Sequence, residues 1–235
     1  MTVNPLPSST AQLLLRTDNF RPGGLYTAFV VEGLTIRKAT PEDADRIAEI
    51  IAGEPGQEAV GLVGDRELAR RLGVASILVP GSSQGWRYST VAELKGDVVA
   101  VIQAGEDVPE FRITLNLAWT TIRILGIWGT LRRIPRLLAR NRVQPARPAR
   151  AYYISEIDVD PAFRNRGIGG ALLAWAERDA RVNGLKRMAL TTTTINPARH
   201  LYERHGFRVV ETKTDPAFER YTGIEGRHLM VKDPE

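Results

Sequence analysis

The 235-residue sequence contains no cysteine. That absence excludes disulfide staples, cysteine nucleophiles and thiolate metal sites together. Its three histidines, His200, His205 and His228, are too few and too scattered to assemble a zinc site, so no metal is expected. No Gly-Lys pair followed by Ser or Thr occurs, which excludes a P-loop. Residues 1–10 are polar, carry two prolines and lack a charged stretch before an apolar core. They do not read as a secretory leader, and the expectation is a cytoplasmic protein. One further absence is local. Between Phe111 and Arg150 there is no Asp, Glu or Lys, but there are nine arginines. The whole chain carries only +5, so the rest of it is net negative and the basic character belongs to this segment. A nucleic-acid partner argued from overall charge is therefore not expected.

What is present is enough apolar material for a core: 43% of residues are hydrophobic. The length suits one domain with an insertion. Residues 1–30 read as an N-terminal arm, residues 31–235 as the domain, and residues 104–150 as an apolar and arginine-rich helical insertion. Leu34–Lys38 reads as a strand. Thr40-Pro41-Glu42-Asp43 opens a helix with a capping residue, proline in the first turn and acids beside the positive dipole end. A shorter helix is expected over Asp65–Leu72. Tyr88–Leu94 and Val98–Gln103 flank Lys95-Gly96-Asp97 as a hairpin. After the insertion come a strand over Tyr153–Val159, a helix over Gly167–Val182 ended by Asn183-Gly184, and a strand over Arg187–Thr194. A helix over Pro197–His205 and strands over Phe207–Thr212 and Arg227–Val231 complete the pattern.

The most informative run is Ile157 to Leu173: a β-branched strand, a short turn, a basic-and-glycine elbow, then an amphipathic helix. Such an elbow brings unpaired backbone N–H groups, a positive dipole end and two arginines to one point, which suits a phosphate-bearing ligand. A dinucleotide fingerprint is a poor match, because the position for its third small residue holds Leu172. Arg164, Gly167 and Gly169 fit instead the Arg-x-x-Gly-x-Gly turn that cradles the pyrophosphate of coenzyme A. With a second segment, Asn196 through Leu201, Tyr202, Gly206 and Phe207, the chain resembles the GNAT superfamily of N-acetyltransferases. The resemblance is good over Tyr152–Lys232 and looser over Leu34–Gln103; the insertion lies outside it.

The resemblance implies an α/β fold, the acyl-CoA N-acyltransferase fold. It has a mixed, mostly antiparallel central sheet flanked by helices, with the helical insertion between the third and fourth strands. It implies acetyl-CoA as co-substrate and a primary amine as acceptor. Residues 164–170 (Arg164, Asn165, Arg166, Gly167, Ile168, Gly169, Gly170) would bind the pyrophosphate, and Ile157 and Val159 would offer main-chain bonds to pantetheine. Asn196 would contact the same arm, although it is also an ideal N-cap. Tyr202 would protonate the departing sulfur, although it also sits on a helical face with Ala198, Leu201 and His205 that could simply be core. Glu156 is the candidate base, with Asp158 on the same strand face; a solvated or ion-paired strand residue is the plainer alternative. Without cysteine, direct attack in a ternary complex is expected. The rival class is a non-catalytic acyl-CoA sensor or membrane-docking module.

The insertion leaves several readings open. Ile113–Leu131 is apolar on nearly every helical face, with Gly126 and Gly129 as breakers and Pro135 restarting a basic helix. It could be a lid over the acceptor cleft or the seam of a homodimer. It could also be a peripheral membrane contact through residues 113–142, with Arg132–Arg150 on headgroups. A true span is disfavoured by Asn116 and Arg123.

Overall fold

A computed structural model describes residues 31–82, 84–106 and 114–233; the expected arm over residues 1–30 lies outside them. The chain opens with β1 (Leu34–Lys38). Then come α1 (Ala44–Ala52), α2 (Gln57–Val63) and α3 (Arg66–Leu78). The β2 (Ser89–Leu94) and β3 (Asp97–Gly105) hairpin is closed by Lys95 and Gly96, both at positive φ. That is the backbone a two-residue hairpin turn requires. Between β3 and β4 (Ala151–Val159) stand α4 (Leu115–Leu131) and α5 (Ile134–Arg142). The chain closes with α6 (Ile168–Val182), β5 (Arg187–Thr193), α7 (Arg199–Arg204), β6 (Arg208–Thr214), α8 (Pro216–Thr222) and β7 (Gly226–Lys232).

The strands form one seven-stranded sheet in the order β1-β2-β3-β4-β5-β7-β6. Only the β4/β5 pair is parallel, joined through α6. Helices cover both faces. On one face α1 and α3 pack Ile47, Ala48, Ile50 and Ile77 against Val91 and Val101. On the other, α6 brings Ile168, Leu172, Leu173 and Ala176 onto Ala100, Ile102, Tyr152 and Ile154. Leu172 and Leu173 are fully buried, and each contributes roughly 1.5–3 kcal/mol. Ile168, Leu172, Trp175 and Ala176 keep the helical spacing of one apolar face.

Several helices depart from the sequence reading. α2 and α8 are absent from the pattern above, and α3 runs six residues beyond Leu72. In the insertion, Gly126 adopts φ 70° and ψ 167°, which breaks α4 into two pieces. No residue of α4 is buried. No helix among the described residues is long and apolar enough to cross a membrane.

Candidate active site

The site begins where the sheet opens. β4 and β5 pair in register from Ala151↔Arg187 to Ile154↔Leu190 and no further. At that point the β3/β4 register jumps from Ala104↔Ile154 to Gln103↔Glu156, so Ser155 is an extra, bulged residue. Its hydroxyl donates to the Gln103 carbonyl at 3.1 Å. The bulge bends β4 away, and the strands diverge around a cleft of about 1100 Å³ lined by Ile154–Asp158, Leu190–Thr193, Asn196 and Tyr202.

Strand parity decides what β4 offers the cleft. The Asp160 N–H bonds the Val99 carbonyl, so the main chain of Asp158 faces β3 and that of Ile157 and Val159 faces the open side. The Val159 carbonyl already accepts from Arg164 Nε at 3.0 Å, which leaves its N–H and both main-chain groups of Ile157.

The elbow follows directly. Asp160 accepts from the Ala162 N–H at 2.8 Å and pairs with Arg46, tying the turn to α1. After one 3-10 turn, Asn165 (φ 61°) and Gly167 (φ 82°) both take left-handed backbone, a conformation glycine adopts without strain. The N–H groups of Gly167, Ile168, Gly169 and Gly170 have no backbone acceptor among the described residues; the ladder of α6 starts at the Ala171 N–H. Arg166 turns back onto its own loop, donating to the Ala162 carbonyl and lying over the Phe163 ring. A Cβ on Gly169 would lie 3.2 Å from Leu201, so this glycine also permits close approach of α7.

Asn196 is held at both ends of its amide. Nδ2 donates to Thr192 Oγ1 at 2.7 Å, and Oδ1 accepts from the Ala198 N–H at 2.9 Å. It caps the turn leading into α7 and also lines the cleft. Tyr202 is 5% exposed and packs edge-on against Phe207, with ring centroids 6.3 Å apart. It is thus both core and cleft lining. Burial, then the negative charges of Glu156 and Asp158, push its phenol well above the ordinary value.

Glu156 and Asp158 share a hydrogen bond in the cleft, and burial raises both carboxyls. The two carboxyls titrate as a pair that shares one proton across that hydrogen bond.

Beyond this pair stands a cluster absent from the sequence reading. Glu58 of α2 accepts from Arg140 of α5 at 3.2 Å and from Arg227 of β7 at 3.3 Å. Arg227 Nε is buried without a hydrogen-bond partner in the described structure. The insertion thus contributes a cleft residue. Four of its other arginines also brace it to the body. Arg133 Nε donates to the Val63 carbonyl at 2.7 Å, and Arg136 donates to the Gly61 carbonyl at 3.1 Å. Arg142 pairs with Asp215, and Arg147 lies over the Tyr153 ring. Ala139 and Val143 pack with Phe218 and Ile224 beneath.

Known proteins agree with this architecture. Streptothricin acetyltransferase of Streptomyces lavendulae is 37% identical over 78 residues, covering 33% of this chain and 40% of that protein. A solved acetyltransferase superposes with a TM-score of 0.54 at 24% identity, over 86% of this chain and 100% of the other. The PaiA N-acetyltransferase from Thermoplasma acidophilum, solved with coenzyme A, gives 0.51 at 15% identity over 85% and 98%. At those identities the likeness is one of fold. The acetyltransferase (GNAT) family itself matches residues 83–207, more than half of the sequence, and the chain belongs to that family.

Proposed function

We propose that the protein transfers an acetyl group from acetyl-CoA to a primary amine by direct attack within a ternary complex. The observation that carries this reading is one cleft at the opening of the sheet lined by Arg164 of the elbow, the Glu156–Asp158 pair and Tyr202. In it, the elbow N–H groups and Arg164 hold the pyrophosphate, Ile157 and Val159 bond pantetheine along β4, and Asn196 borders the same arm.

Glu156 accepts a proton from the acceptor's ammonium group, directly or through water. The freed nitrogen attacks the thioester carbonyl carbon, the carbon–sulfur bond breaks, and Tyr202 donates a proton to the departing sulfur. The two proton transfers assist one another. Protonation of Glu156 removes a negative charge that had held the Tyr202 proton in place, so the phenol becomes more acidic as the thiolate forms.

The test is acetyl-CoA-dependent release of free thiol with a panel of primary amines, streptothricin among them because of the relative's name. Initial-rate patterns should intersect, as expected for a sequential reaction. Parallel lines would sink direct attack. Tight CoA binding with no thiol release for any amine would point to a sensor.

A further inference from the structure

The outer face of the insertion is apolar and exposed, and the acetyl-transfer reading makes no use of it. Leu115 is 90% exposed, Trp119 and Ile127 are each 62% exposed, and Trp128 is 77% exposed. Leu115, Trp119 and Arg123 follow at four-residue spacing and form one row on the first piece of α4, and Ile127, Trp128 and Leu131 are exposed on the piece after Gly126. Contiguous exposed apolar surface of this kind marks a place of contact.

We propose that this face docks on an anionic lipid bilayer, with α4 lying in the plane of the interface. Charge selects that occupant. Arg123 and Arg132 are exposed within the patch, and no carboxylate occurs anywhere from residue 114 to 150. Five other arginines of the insertion contact the body, which leaves Arg123 and Arg132 as the charges within the patch. A second copy meeting the patch through a two-fold axis would set arginine against arginine, with no acid of the insertion to pair them. Anionic headgroups supply the missing negative charge, and tryptophans at both ends of α4 suit the headgroup boundary. The break at Gly126 agrees with a helix that lies on a membrane instead of crossing it. α4 packs on α3, whose Arg66, Glu67 and Arg70 line the cleft, so docking fixes the cleft's position relative to the bilayer.

The test uses the full chain with phosphatidylcholine vesicles, with and without phosphatidylglycerol. Co-sedimentation with the mixed vesicles is expected, with a blue shift in tryptophan emission and weakening in salt. Trp119→Ser/Trp128→Ser should lower the partition coefficient at least ~tenfold, since two buried aromatic side chains are lost. Arg123→Gln/Arg132→Gln should weaken binding to the phosphatidylglycerol vesicles. Both variants should keep the wild-type thermal transition. The proposal fails if neither vesicle binds, or if binding survives both pairs of substitutions. It also fails if the tryptophan pair instead dissolves a dimer in lipid-free ultracentrifugation. Binding seen only after removal of residues 1–30 would assign the face to that segment.

Discussion

Glu156 and Asp158 stand two residues apart on one face of β4 and share a hydrogen bond in a cleft whose burial raises both carboxyls above the usual carboxylate range. The pair lies just past the Ser155 bulge, where β4 has separated from β5.

If Glu156 is the base, the acidic limb of kcat/KM against pH reports its first ionisation. Asp158→Ala removes the carboxyl that shares the pair's proton after the first ionisation, so that ionisation becomes harder and the limb moves to higher pH. A hydrogen bond to a charged group is worth ~1.5–3 kcal/mol, so the shift should be about one to two pH units. Asp158→Asn keeps a donor and should shift it less. A limb unmoved by Asp158→Ala, or absent altogether, would remove the pair from proton transfer.

Tyr202→Phe should lower kcat about 100-fold with little change in CoA affinity, because the ring remains packed on Phe207 while its proton is lost. Stopped-flow kinetics and CoA titration separate the two quantities. An unchanged kcat would leave Tyr202 as core alone.

Gly167→Ala forces an alanine to φ 82° at the start of α6. The strain is ~1 kcal/mol, small against folding but applied where N–H groups are aimed. The acetyl-CoA KM should rise about fivefold or more, with the amine KM unchanged. A rise confined to the amine KM would relocate the CoA site.

Glu58→Ala leaves Arg140 and Arg227 facing each other in a mostly buried wall, their side chains 26% and 13% exposed. Stability should fall by about 2 kcal/mol, or roughly 6 °C in Tm for a domain of this size. Adding Arg140→Leu should recover part of it. Calorimetry showing the single variant at wild-type Tm would make the ion cluster energetically idle.

The elbow was legible in the sequence because its chemistry is local: glycines, arginines and a helix start at fixed spacing. The shared face of Glu156 and Asp158 follows from strand periodicity alone. Glu58 was not legible, because α2 has only seven residues, follows Gly56 without a side-chain cap and carries Gly61 in its middle. Arg140 was hidden among eight similar arginines, and only tertiary contact distinguishes it. α8 was detectable: Asp215 before Pro216 is a cap signal, and Asp215 accepts from the Phe218 N–H as such a cap should. The all-apolar reading of α4 led to burial as one solution, whereas the helix lies on the outside.

The arginine braces change what the insertion is. Arg133 and Arg136 donate to carbonyls in the last turn of α2, the groups a helix end leaves without partners. Seven residues are too few to hold a helix unaided. The segment that departs most from the family pattern is therefore not a detachable module. Excising it would unravel α2 and carry Glu58 out of the cleft wall. An inactive deletion variant would speak of lost scaffolding, so questions about the insertion have to be asked one side chain at a time.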